Sequence, residues 1–375
     1  MTEPVFLHVG LPKTGTTELQ KVLWENRAHL ASAGVVYPGR VRGAHYHAAM
    51  DLLGWKRAPE VGAWAALAAT ARESAGRVVL SHEVLAGATP PQVARMLDDL
   101  APRDVHVVIT VRDFSRIVSA TWQERAKNRE VEDWAQFLAD VAAGPSGKHP
   151  FWRFQDAARV VGLFAEHVPG DRIHVITVPP VHEDPNLLLR RFAEVVGFSL
   201  DGLTISGRPA NQSIGAVEIA VLQQVNRASR HLSWEQYARL IKNHVVKDIL
   251  AARTGQLRVV LPEAARPWVD AETERIREAV RTQGCHLVGD LAELEPRGIG
   301  VRDAAKETDA PNTVPEAEVL ATTATVLVEL AEEVGRLRAR LRRRLVATVE
   351  GSAAEGIVDR ARALVGRLRR RTRSD

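Results

Sequence analysis

"VFLHVGLPKTGTTELQKVL" runs from Val5 to Leu23, and its reading decides what the rest of the chain can be. An apolar run passes into a glycine-bracketed turn and then into an amphipathic helical stretch, the local design of a phosphate-binding loop. A nucleotide triphosphatase of the Walker type reads G-x-x-x-x-G-K-[ST], with lysine directly after the second glycine. Here Gly10 and Gly15 keep that spacing, but Thr16 holds the lysine's place and the lysine stands two residues before the glycine, at Lys13. Loop amides, a helix N-terminus, the Lys13 ammonium and the hydroxyls of Thr16 and Thr17 would still converge on an anion. A Walker loop also needs a strand-end acid to help hold Mg²⁺. No obvious Walker-B acid follows a strand; Asp113, close behind a strand end, sits beside Arg112, which argues against a metal–triphosphate ligand.

Outward from this loop, short β-branched runs alternate with helical stretches. Strands are expected at 5–9, 34–38, 77–81, 105–111 and 172–178, and helices at 15–33, 59–73, 90–100, 113–128, 133–143, 153–168 and 184–196. Most of the strands are apolar on consecutive positions, as in a parallel sheet covered on both faces. The pattern predicts an α/β fold, a P-loop-containing open parallel sheet flanked by helices, with a helical C-terminal extension. Residues 1–297 form the expected main domain, with 197–297 its mostly helical part (helices at 214–230, 234–252 and 266–284). The polar, proline-containing stretch 298–315 is expected to be a linker, and 316–375 an arginine-rich helical tail with helices at 316–349 and 353–371. No internal repeat is visible.

Bulk properties narrow the classes. The 375 residues are 45% hydrophobic and 26% charged, ordinary for a globular chain. No apolar run approaches the roughly 18 residues of a membrane span, and the N-terminus shows neither a basic region nor a cleavage site. The single cysteine, Cys285, excludes an internal disulfide and a thiolate metal site of its own. A cytoplasmic location is expected, and the Asn211-Gln212-Ser213 triplet is then not a glycosylation site. From Gly335 onward there are thirteen arginines and four acids, so the tail carries +9 of a net charge of +4 and the remainder carries −5. The basic balance therefore belongs to the tail and implies no specific nucleic-acid partner for the main body.

The loop "LPKTGTTEL" resembles the 5′-phosphosulfate loop, P-K-[ST]-G-[ST]-[ST], of the sulfotransferases that use 3′-phosphoadenosine 5′-phosphosulfate (PAPS). That resemblance assigns donor binding to Pro12, Lys13, Thr14, Gly15, Thr16 and Thr17. A second motif, "VHVVITVRDFSRIVSATWQE" from Val105 to Glu124, resembles the family's 3′-phosphate site, in which a strand-end arginine and a following serine grip the phosphate. Arg112 takes the arginine's place and Ser119 the serine's, at a spacing of seven residues where eight is usual; Ser115 lies within the first turn, and Phe114 replaces a frequent proline. The resemblance covers roughly residues 3–295, and "RD…WQE" together with "HLVGDLAEL" (286–294) is similar to a bacterial carbohydrate-type branch. It implies PAPS as co-substrate, no metal, and a small-molecule or glycan acceptor.

Sulfuryl transfer, like phosphoryl transfer, is an in-line displacement governed by positioning and charge stabilisation. A cation must face the leaving 5′-phosphate, the place of Lys13, and a base must reach the acceptor hydroxyl. Two clusters could supply that base: His82 and Glu83 at the end of the strand before Arg112, and His45 and His47 after the first βα unit. His45 and His47 are also readable as polar loop residues or as half of a metal pair lacking a third ligand. Trp122 could stack on the adenine or belong to the core. Two other function classes remain open at this point: a P-loop kinase or nucleotidase with an altered loop, and a non-catalytic nucleotide-binding or membrane-associated scaffold. The tail could lie peripherally on an anionic membrane surface, bind a polyanion, form a coiled pair with another subunit, or remain a solvated extension.

Overall fold

The computed structural model describes residues 3–55, 61–179, 184–205 and 213–371, with 344–371 as helical backbone. The strands are β1 (Val5–Gly10), β2 (Val35–Val36), β3 (Arg77–Ser81), β4 (Val105–Val111), β5 (Ile173–Thr177), β6 (Arg258–Val259), β7 (His286–Val288) and β8 (Glu307–Thr308). The helices are α1 (Thr16–Glu25), α2 (Arg27–Ser32), α3 (Ala44–Leu52), α4 (Ala63–Glu73), α5 (Pro90–Leu100), α6 (Phe114–Lys127), α7 (Trp134–Ala142), α8 (Phe151–Gln155), α9 (Ala157–Ala165) and α10 (Leu187–Val196). They continue with α11 (Ala216–Ala228), α12 (Trp234–Tyr237), α13 (Arg266–Thr282) and α14 (Glu316–Arg371). A π-helical run, Ala238–Ile249, extends α12. The chain divides into two units, residues 1–315 and 316–375.

Six strands form one sheet in the order β2-β3-β1-β4-β5-β7, and every pairing in it is parallel. The fold class is therefore the expected α/β one. β1 is buried along its whole length, which explains why its sequence shows no alternation. Phe6, Val79, Val108 and Ile176 point to one face and pack against Leu19, Val22 and Leu23 of α1 and Leu189, Phe192 and Val196 of α10. α9 packs on β4 and β5. Each fully buried Leu or Phe in such a layer contributes about 1.5–3 kcal/mol.

The differences from expectation have local causes. The helix expected over 15–33 breaks at Asn26, whose side-chain amide donates to Val22 O at 2.8 Å and Thr204 O at 3.0 Å, while its Oδ1 accepts from Thr204 N at 2.7 Å. A side chain that supplies its own backbone-like bonds competes with helix continuation. β7, the edge strand, has three residues and begins with histidine, too short to show a period. His45 and His47, candidates for the base and also readable as polar loop residues, lie on α3. The stretch expected as a linker is stitched into the first unit. Leu261 and Gly300 donate amide bonds to Gly298 O and Leu261 O, both at 2.8 Å, and β8 pairs with β6. α14 is one continuous helix where two were expected. The first two residues of the helix expected at 59–73, and Asn211 and Gln212 of the N-x-S triplet, lie outside the described residues. No described helix is long and apolar enough to cross a membrane.

At the N-terminal ends of the strands, three histidine rings form a row across β4, β5 and β7. His106 Nδ1 lies 2.8 Å from His174 Nε2, and His174 Nδ1 lies 2.8 Å from His286 Nδ1. Burial, reinforced by the two neighbouring rings, pushes His174 down to about 4. Burial likewise takes His8 and His45 to about 4. These three histidines stay neutral in the folded chain but bind protons once unfolded, where their ordinary value is 6.5. Their contribution is therefore complete above pH 6.5 and is lost as the pH falls toward 4. Urea unfolding between pH 7.5 and 4.5, above the ordinary carboxylate range, should show a falling free energy with proton uptake on unfolding; a flat profile there would contradict these assignments.

Candidate active site

The chain crosses from one side of the sheet to the other between β1 and β4, and the carboxyl ends of such neighbouring strands are where ligands bind in open α/β sheets. The loop after β1 turns there through three residues with positive φ: Gly10 at 105°, Lys13 at 68° and Gly15 at 94°. A Cβ on Gly10 would stand 3.0 Å from Glu83 Cα, and one on Gly15 would stand 2.9 Å from Leu188 Cδ2. Gly10 is favoured by close approach to backbone as well as by conformation, and Gly15 by its conformation. Lys13 has no such freedom, and a non-glycine residue in this region persists only where its surroundings hold it.

The surroundings can be named. Leu11 N donates to Thr110 O at 2.9 Å, and Arg112 Nη1 donates to the Lys13 carbonyl, also at 2.9 Å. Thr14 is fully buried; its hydroxyl donates to Leu11 O at 2.6 Å and lies 2.5 Å from Thr110 Oγ1. Beneath the loop, His8 bridges Ser81 Oγ at 2.7 Å and Thr110 Oγ1 at 3.5 Å. A polar layer thus fastens the loop to β1, β3 and β4. Thr16 is buried at the start of α1, and Thr17 faces an adjoining cleft. Burial, with a contribution from Arg116, lowers Arg112 to about 10.

The Lys13 ammonium reaches Glu124 Oε2 at 2.7 Å. Glu124 Oε1 accepts from Lys242 Nζ at 3.0 Å, and Lys127 and Lys247 belong to the same electrostatic cluster. Burial opposes ionisation of Glu124, but Lys13 and Lys242 more than offset it and hold the carboxylate down at about 2. Burial brings Lys127 down to about 8, with Glu124 opposing the shift and Lys13, Lys242 and Lys247 adding to it. Positive charge is in excess around a single carboxylate. Glu124, Lys127 and Lys242 were not singled out as site residues from the sequence. Glu124 ends the Val105–Glu124 motif, but Lys242 lies in "ARLIKNHVVKDI", which reads as an ordinary charged helix.

At the second anchor, Asp113 caps α6, accepting from Ser115 N at 2.9 Å, and also accepts from Arg297 N at 2.9 Å. Ser115 Oγ donates to Asp113 Oδ1 and accepts from Gly298 N. Asp113 and Ser115 are therefore committed to holding the 297–298 segment. Ser119 Oγ makes a long bond, 3.4 Å, to Arg116 O. Trp122 is 2% exposed, packs on Trp134 at 5.0 Å and donates to Glu132 O, so it is a core residue.

His82 and Glu83 follow β3 on the other side of the loop. His82 Nδ1 accepts from Val84 N at 3.2 Å, which leaves the proton of the neutral ring on Nε2. Burial lowers His82, with Glu83 opposing. Glu83 accepts from Gln20 Nε2 at 2.9 Å, and its Oε2 lies 4.0 Å from His82 Nδ1. Burial raises Glu83, but His82, a backbone amide and Gln20 outweigh it and leave the carboxyl below its ordinary value. His45 has both nitrogens engaged, Nε2 with Pro38 O at 2.7 Å and Nδ1 with Ser81 N at 3.0 Å, which makes it a structural residue. His47 is half-buried on α3 beside Tyr46, whose ring also lies 5.1 Å from His82. A cleft of about 150 Å³ opens here, lined by Thr17, Gln20, Lys21, Arg42, Tyr46 and His82 among others.

No protein-family model matches the chain, and no curated protein does. Among solved structures, the chain is similar to a sulfotransferase from Alicyclobacillus acidocaldarius, with 18% identity over 63% of this chain and 100% of that one and a TM-score of 0.38.

The stabilisation from Glu124 is present above its ordinary value of 4.5 and is lost as the pH falls toward 2. At neutral pH, Glu124→Gln should cost about 1–3 kcal/mol in urea unfolding, below the figure for a fully buried pair because the site is partly exposed. Adding Lys13→Gln should recover part of that loss, since it removes a charge left unpaired; strictly additive losses would show that the pair does not interact.

Proposed function

We propose that the chain is a sulfotransferase that moves a sulfuryl group from PAPS to an acceptor hydroxyl. One observation carries the reading. The Gly10–Thr17 loop and Arg112 top adjacent parallel strands, and the guanidinium of Arg112 touches the loop at the Lys13 carbonyl. Two anion anchors so joined suit one ligand with two phosphate groups. The cation-rich surroundings of Lys13 support the same reading, because Lys242 shares the Glu124 carboxylate with it and Lys127 and Lys247 belong to the same electrostatic cluster. The loop sequence P-K-T-G-T-T adds to this through its resemblance to the 5′-phosphosulfate loop.

In this reading the loop amides and Arg112 bind the donor, with Ser119 beside its 3′-phosphate. Lys13 leaves Glu124 to face the bridging oxygen, where charge accumulates as the S–O bond breaks. The acceptor oxygen attacks sulfur in line from the cleft side, and its proton passes to a base. Glu83 fits that role better than His82. It is held as an ionised carboxylate, whereas the available nitrogen of His82 already carries a proton. His82 then donates a hydrogen bond, and His47 stands further out on α3. The cleft has Lys21 and Arg42 on its walls, which suits a polyhydroxylated, carbohydrate-like acceptor carrying an anionic group.

Calorimetry with adenosine 3′,5′-bisphosphate tests the donor half directly. Binding without Mg²⁺, and none for ATP, is expected; the reverse preference would overturn the assignment. With labelled PAPS and a host metabolite extract as acceptor source, Lys13→Ala should lower transfer about 10²–10³-fold while weakening product-nucleotide binding far less. Glu83→Gln should cost about 10²–10⁴-fold with nucleotide affinity intact, and His82→Ala should cost less. A larger loss at His82 would exchange their roles.

A further inference from the structure

In the second unit, α14 exposes large apolar side chains at a fixed interval. Leu320 and Leu327 are 62% exposed, Val334 is 46% and Leu341 is 60%, each seven residues from the next. Leu330 and Leu337 fall three residues after Leu327 and Val334, which gives apolar a and d positions in two successive heptads, with Thr323 at the d position before them. A seven-residue period keeps an apolar seam facing a partner helix only if the two helices wind around each other.

Charge narrows the partner. Over the seam, residues 320–341, three glutamates balance three arginines, so it carries no net charge to draw it to an anionic surface. The arginine excess begins only at Arg342, and Arg344 occupies the next d position, where it ends the seam. With Leu327 and Val334 at a, Glu333 is a g position and Arg338 the following e position. In a parallel two-stranded coil, g of one helix faces e of the next heptad on its partner. Glu333 of each copy would then meet Arg338 of the other.

We propose that α14 pairs two copies of this chain as a parallel coiled coil over residues 320–341. The seam, with small residues at Thr323, Ala324 and Ala331 around it, accommodates an identical helix at the close spacing of knobs-into-holes packing. The pairing is independent of the chemistry assigned to the first unit.

Light scattering coupled to size exclusion, on the full chain over a dilution series, reads the result. At high concentration the mass should be twice 41.2 kDa. Val334→Glu should return it to 41.2 kDa with helical content of the first unit unchanged, whereas Val328→Glu, at a neighbouring site 58% exposed but off the seam, should leave the doubled mass in place. Glu333→Arg should weaken association, and Glu333→Arg with Arg338→Glu should restore it. A mass of 41.2 kDa at every concentration would overturn the proposal, as would equal losses at Val334 and Val328. So would seam-dependent binding to phosphatidylserine vesicles without self-association.

Discussion

A loop that gathers cations at the end of a central strand must be held together against its own charge. In this chain the holding is done by one carboxylate: Glu124 accepts from Lys13 on one oxygen and from Lys242 on the other. It ties the β1 loop to α6 and to the π-helical run, three elements remote from one another in sequence. The carboxylate balances the cluster only in part. Lys127 is already pushed toward neutrality by burial and by the neighbouring lysines. An incoming anion would relieve that repulsion, so the same arrangement that stabilises the loop leaves it receptive to negative charge.

The polar layer below the loop has a different task. His8, Ser81, Thr110 and Thr14 are buried, and each satisfies another. A buried polar layer of this kind tolerates few alternative arrangements, because any shift would strand a donor or acceptor away from water. It explains how Lys13 is kept at a positive φ that its side chain disfavours. It also explains why Thr14, although within the loop motif, turns its hydroxyl inward and leaves only its backbone for a ligand.

The same accounting of donors and acceptors separates four chemically similar candidates for the base. His45 is consumed by Pro38 and Ser81, and His82 by the Val84 amide. His47 sits out on α3. Glu83 alone combines ionisation, partial exposure and a position beside the loop, where the Gly10 backbone passes close to its Cα. None of these distinctions resides in residue type. They follow from which backbone groups happen to lie within reach.

Sequence reading carried five of the sheet's six strands, because most of those runs are apolar on consecutive positions, as suits strands buried on both faces; the three-residue β7 escaped it. It carried the loop as well, since glycines at 10 and 15 and a lysine at 13 specify a strand–turn–helix through local conformational preference. It missed the helix break at Asn26 and the docking of the 297–308 segment. In both places the deciding bonds reach across more than a hundred residues, to Thr204 and to Ser115 and Asp113. What the chain determined by itself, then, is a parallel α/β sheet with a glycine-bracketed strand–turn–helix loop on its first strand, because backbone preference and hydrophobic period act over a few residues. Only the tertiary structure decided that Glu124 answers Lys13 and that His45 has both ring nitrogens bonded while Glu83 stays partly exposed, because burial and hydrogen-bond partners are properties of position in space.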